Sequence, residues 1–231
     1  MHSRTEVRSA IPGAMSTKKR TAILISGRGS NMQSLVAAAR AADYPAEIVL
    51  VASNRPDAAG LAWAVEQGLP TVVIDHKGYE SRAAFEQALQ SALDTHSVEL
   101  IALAGFMRLM TPEFVEHWRN RMINIHPSLL PSFKGLHTHE QAIAAGVKIA
   151  GCTVHYVRPE MDAGPIIAQA AVPVLSSDTA ETLAAKILIA EHQVYPAALR
   201  LVAAGQECCD GEKIVISSEV SETNPLYSPA I

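Results

Sequence analysis

The segment Asn124-Ile125-His126-Pro127 ends an apolar run with an amide and an imidazole two residues apart. In an extended strand, alternation turns both side chains to one face. Side by side they can meet one developing oxyanion, or the histidine can handle a proton. Taken alone, a strand-end histidine is more often a satisfied structural residue. A second candidate is Asp162, in the turn Glu160-Met161-Asp162-Ala163-Gly164-Pro165. A single Asp before Ala-Gly-Pro is more often a turn former, but a carboxylate directed into the same crevice could receive a proton from His126. The third is the loop Ser26-Gly27-Arg28-Gly29-Ser30-Asn31. Its glycines permit close backbone approach, and a helix behind it would aim free N–H groups at a phosphate. It lacks the third glycine of a dinucleotide loop and the lysine of a Walker loop, so a bare tight turn reads equally well.

These residues need a scaffold, and the chain alternates. Apolar, β-branched runs predict strands over Thr21–Ser26, Ile48–Ser53, Thr71–Asp75, Glu99–Ala104 and Met122–His126. Between them lie helical patterns. Ser30 and Gln33 have capping-box spacing ahead of Met32, Leu35 and Val36. A second helix runs from about Asp57 to Gln67 and stops at Gly68, and a third starts near Ser81. Thr111-Pro112 opens a fourth. This rhythm predicts an α/β fold: one open, mostly parallel twisted sheet with helices on both faces. Candidate ligand-binding residues then fall beyond the carboxyl ends of the strands. After His126 the pattern changes to a C-terminal β/α elaboration. A short helix is expected near Glu140–Ala145, with strands over Ile149–Val157 and Pro165–Val174. A long helix over Thr179–Ala203 should kink or split at Pro196.

Composition bounds the function. The chain has 231 residues, 48% of them hydrophobic, which suits one folded domain and excludes disordered or fibrous classes. Five basic residues and one acid fall within the first 20, leaving 14 basic against 22 acidic side chains over the rest. A body that acidic is a poor nucleic-acid binder, so any anionic ligand needs a local device. Residues 1–18 read as a mobile leader, 19–217 as the catalytic domain and 218–231 as a tail. Within the domain, about 19–120 holds the phosphate half and 121–217 the catalytic half. The apolar run Leu100–Met107 is too short to span a membrane. Cys152, Cys208 and Cys209 have no metal or disulfide pattern and read as reduced thiols in a cytoplasm. His137 and His139 lack the partners of a known metal site, so no metal is expected. Glu191 and His192 read on their own as the polar edge of a helix.

Taken together, LISGRGSN, LAGFMRLM, NIHPSLLP, GLHTH, the turn Asp162–Pro165 and EHQVYP, in this order and spacing, resemble the phosphoribosylglycinamide formyltransferase family. The resemblance spans about Thr21 to Pro196. It implies a Rossmann-like formyltransferase fold and formyl transfer from 10-formyltetrahydrofolate, a co-substrate, to 5-phosphoribosylglycinamide in purine synthesis. It implies Asn124, His126 and Asp162 as the catalytic set, and Gly29, Ser30, Asn31 and Met32 as the phosphate site. Glu191 falls where the family holds the glycinamide. The folate would meet Arg82, Met107, Arg108, Leu109, Met110 and Asn124, with the loop Arg158, Pro159, Glu160, Met161 and Asp162. Family members often carry acidic or small polar residues where this chain has Arg158-Pro159. The expected partners are small molecules, with no nucleic acid or membrane, for a monomer or homodimer. Rivals sharing these elements are formyltetrahydrofolate hydrolase and methionyl-tRNA formyltransferase, and from another class a non-catalytic phosphometabolite-binding protein.

Overall fold

The computed structural model describes residues 18–216; the leader, apart from Lys18, and the tail lie outside the described residues. Strands β1 (Lys19–Ile25), β2 (Ala46–Ser53), β3 (Thr71–Val73), β4 (Leu100–Leu103), β5 (Met122–His126), β6 (Ile149–Tyr156) and β7 (Ile166–Pro173) form one sheet. Its order is β3-β2-β1-β4-β5-β6-β7. The first five are mutually parallel, whereas β5–β6 and β6–β7 pair antiparallel. The winding direction reverses between β1 and β4, which opens a crevice beyond their carboxyl ends.

Alternation along each strand divides the core in two. Ile23 and Ile25 face helices α1 (Ser30–Ala39), α2 (Ala59–Glu66), α5 (Thr138–Ala144) and α6 (Ala180–Ala204). Ala22 and Leu24 face α3 (Arg82–Thr95) and α4 (Pro112–His117). Each fully buried aliphatic side chain stabilises this arrangement by about 2 kcal/mol. Thr111 caps α4 ahead of Pro112, and Ser81 caps α3, as the residue types dictate. Among the described residues no helix is long and apolar enough to cross a membrane.

Four expectations change. The Ser30–Gln33 capping box does not form: Gly29 is the N-cap in the left-handed region, with φ 72°, and no side chain caps α1. The chain turns into this helix through backbone freedom, which leaves Ser30 as its first residue. Helix α6 runs unbroken through Pro196, with Tyr195, Ala198 and Leu199 buried around it. Packing of these side chains outweighs the lost hydrogen bond. The third strand is short, because Asp75 instead caps a 3-10 turn at His76–Gly78. Finally, β8 (Glu207–Asp210) and β9 (Lys213–Ile216) form an unforeseen hairpin around Gly211, whose φ is 62°.

Candidate active site

At the carboxyl end of β1, Gly27 and Gly29 bring the chain onto α1. A Cβ on Gly29 would lie 2.9 Å from Met32 Cε. Helix α2 buttresses the loop from behind: Gly60 N–H donates to the Gly27 carbonyl at 3.0 Å. A side chain at Gly60 would strike Ile25 at 2.7 Å, so glycine there sets the approach. Gln33 N–H closes the first helical bond onto Gly29, leaving the amides of Ser30, Asn31 and Met32 aimed out of the helix end. Met32 itself is fully buried, and Asn31 turns its amide away to Glu191, donating from Nδ2 to Oε2 at 2.7 Å. The stretch thus offers main-chain donors, not these two side chains, to an anion. Buried Glu191 has its pKa raised by desolvation, opposed by the Asn31 bond. Asn31 Oδ1 is buried and finds no partner among the described residues.

Beside it, Met107 N–H donates to Ser26 Oγ at 2.8 Å, which ties the segment after β4 to the first loop. Met107 and Leu109 are largely exposed, and Met110 is half-buried. The Arg108 guanidinium stacks over the Phe85 ring, 5.2 Å from its centroid. Phe85 lies in the first turn of α3, close to exposed Arg82. Apolar side chains and two cations therefore share one rim.

Strand β5 ends in the polar centre. Asn124 pairs with His155 of β6, and His126 with Thr153, so alternation places all four on the face opposite α6. His155 Nδ1 lies 2.9 Å from the Tyr156 carbonyl. A carbonyl only accepts, so Nδ1 carries the hydrogen and Nε2 offers its lone pair. Burial lowers the His155 pKa and favours this neutral form. Its Nε2 accepts from Asn124 Nδ2 at 3.3 Å, which fixes the amide and leaves its second N–H free to donate. By the same reasoning His126 Nε2 donates to the Phe133 carbonyl at 3.0 Å. That leaves Nδ1 turned towards Asp162 Oδ2, 3.5 Å away.

Asp162 reaches this centre from the loop between β6 and β7. Its φ is 51°, a left-handed conformation that aspartate tolerates better than most residues. Oδ2 accepts the Gly135 amide at 2.8 Å, and Oδ1 lies 3.9 Å from His155 Nε2. Neighbouring Pro159, Glu160 and Met161 are exposed.

The sequence-predicted trio is thus brought together, and Glu191, read from its own neighbours as a solvent-facing helix edge, is instead buried against Asn31 of the first loop. Arg158 departs from its expected place. Its buried side chain turns from the crevice to Glu212 in the β8–β9 turn, with Nε 3.0 Å from Oε2. Its backbone belongs to the loop, but the guanidinium is engaged elsewhere. His155 and Gly60 were missed. The alternation of Thr153 and His155 was visible, but its meaning needed the antiparallel pairing with β5. Among the described residues no cluster of metal-ligating side chains occurs.

A sequence profile of the formyl transferase family matches residues 19–199. The chain belongs to that family. Relatives of this formyl transferase include the trifunctional purine biosynthetic protein adenosine-3 of Bos taurus, 52% identical over 188 residues. That match covers 81% of this chain and 19% of the bovine protein, so the chain spans about a fifth of the trifunctional relatives. Phosphoribosylglycinamide formyltransferase of Escherichia coli is 40% identical over 80% of this chain and 87% of its own. The crystal structure of glycinamide ribonucleotide transformylase 1 from Symbiobacterium toebii superposes with a TM-score of 0.84. It is 45% identical and covers 86% of this chain and 94% of that one. The seven-stranded mixed sheet is the fold these formyl transferases share.

Proposed function

We propose that this formyl transferase moves the formyl group of 10-formyltetrahydrofolate to the amine of 5-phosphoribosylglycinamide. The observation that carries the reading is Asp162 at 3.5 Å from His126, beside an Asn124 amide fixed by His155. This centre lies on the same sheet as a loop of helix-terminal amides suited to a phosphate. The family supports a folate co-substrate, and the largely exposed apolar surface of Met107 and Leu109 with the cations Arg82 and Arg108 suits an aromatic, carboxylate-tailed molecule. Glu191, beside the phosphate loop, is placed to accept from the glycinamide.

In this reaction the amine lone pair attacks the formyl carbon, forming a C–N bond and a tetrahedral oxyanion. The free N–H of Asn124 donates to that oxygen. His126 can donate as well only by exchanging its bond to the Phe133 carbonyl, whereas its Nδ1 and Asp162 are already placed to carry a proton. The proton leaves the attacking nitrogen and reaches N10 of the folate as the C–N10 bond breaks. Losing one oxyanion donor of this kind costs about 3 kcal/mol in the barrier. Both substrates are small molecules, and the free thiols suit a reducing cytoplasm.

The test is formylfolate consumption by the purified protein with and without phosphoribosylglycinamide. The reading expects consumption only with the acceptor, matched by formylated product. Equal consumption without acceptor would instead indicate a hydrolase, and none in either case a binding protein.

A further inference from the structure

We infer that Arg158 and Glu212 form a clamp through which the β8–β9 hairpin positions Asp162. Arg158 is the second residue of the loop that carries the aspartate, and its side chain is only 6% exposed. Its Nε approaches both Glu212 oxygens, at 3.0 and 3.4 Å. Nη1 donates to the Val157 carbonyl at 3.1 Å and Nη2 to Asn120 Oδ1 at 2.8 Å. Glu212 accepts in turn from Arg119 Nη2 at 2.8 Å. Three distant segments therefore meet: the hairpin turn, the start of the Asp162 loop and the turn that leads into β5. The last of these delivers Asn124 and His126. A second bond, Tyr156 Oη to Glu207 at 2.7 Å, fastens the same hairpin to the end of β6.

The loop's other end is fixed against the clamp itself. A Cβ on Gly164 would sit 1.8 Å from the Tyr156 carbonyl oxygen and 3.1 Å from Arg158 Cγ. The Arg158 stem thus packs beneath Gly164 and closes the loop on its own base. Five residues, 159–163, join these two ends, and a span that short has little freedom once both are held. Asp162 then has one inward course, to Gly135 and His126. A buried guanidinium with partners on three sides resists displacement, because moving it would leave Asn120 and a buried charge unpaired.

Arg158 is on this account a positioning residue, which never touches the substrates. The claim rests on the formyl-transfer reading for its kinetic arm only. Arg158→Met keeps the stem under Gly164 and removes the fork, while Glu212→Gln removes charge from the partly exposed hairpin side. Amide exchange at Gly135, whose N–H is held by Asp162, reads the loop directly in the full-length, unliganded protein. In Arg158→Met that amide should exchange about ten-fold faster or more, with β1 and β2 amides unchanged. Glu212→Gln should give about three-fold, since an exposed partner contributes less. KM for 10-formyltetrahydrofolate should rise and kcat fall in the same order, with KM for phosphoribosylglycinamide unchanged. Gly135 exchange unchanged in both variants overturns the clamp, as does acceleration shared equally by the β1 and β2 amides. If the parent protein turns over no formylfolate, the formyl-transfer reading fails while the exchange result still decides the clamp.

Discussion

The glycines of the loop after β1 are held by main chain, through Gln33 N–H to Gly29 and Gly60 N–H to Gly27, each at 3.0 Å. The loop after β6 is held by side chains: Arg158 on Glu212 and Asn120, and Asp162 on the Gly135 amide. On the proposed function, one region would bind by main-chain geometry and the other would react through groups brought together from far apart. A main-chain cradle tolerates most side-chain changes and fails at its glycines. A side-chain centre fails at any member, and also at residues that only steer the loop.

The largest expected effect follows from this contrast. Asp162→Asn keeps shape but removes the charge beside His126, so kcat should fall about a thousand-fold with KM for formylfolate little changed. Steady-state kinetics check it; a fall confined to KM would make Asp162 a binding residue. Next comes Gly164→Ala. The new Cβ would collide with a main-chain oxygen, so the loop must shift, at about 3 kcal/mol measured by urea unfolding, with turnover reduced as well.

The cradle should respond differently. Gly29→Val forces a β-branched residue to φ 72°, which is strongly disfavoured. KM for phosphoribosylglycinamide should rise about thirty-fold while that for formylfolate hardly moves. Equal losses for both substrates would erase the distinction between the regions. The smallest effect belongs to Glu191. Burial raises its pKa above 4.5, so the folded protein holds that proton more tightly than the unfolded chain. Stability from this group is therefore lost as pH rises from the unfolded value through the folded one. Glu191→Gln should flatten that decline and raise Tm slightly at pH 7, while weakening acceptor binding. His155, lowered by burial, works in the opposite sense: its contribution is lost as pH falls below 6.5.

The same contrast explains what could be read from the sequence. Strand alternation, the Thr111-Pro112 cap and the Gly-rich turn are local, and β5 lies at Met122–His126 as expected. Asn124 and His126 were legible because their spacing alone puts them on one face. Asp162 was legible as either a turn former or a carboxylate beside His126, and its neighbours in sequence could not decide between the two. His155 acquires meaning from its pairing opposite Asn124, a contact 31 residues away in sequence. Arg158 likewise looked like a loop residue near the folate, since only the hairpin 54 residues later reveals where its charge goes. The capping box that was expected and does not form has a local cause: Ser30 fits the pattern, but Gly29 adopts the left-handed turn instead.

On the proposed function His126 and Asp162 act as one unit in turnover. The decisive measurement is kcat for His126→Ala, Asp162→Asn and the double variant, with both substrates saturating. Each single change should lower turnover by orders of magnitude. The double variant should fall about as far as the worse of the two, because groups acting together are not additive. Losses that multiply would assign the two residues independent roles, and near-normal turnover in Asp162→Asn would remove that residue from the chemistry.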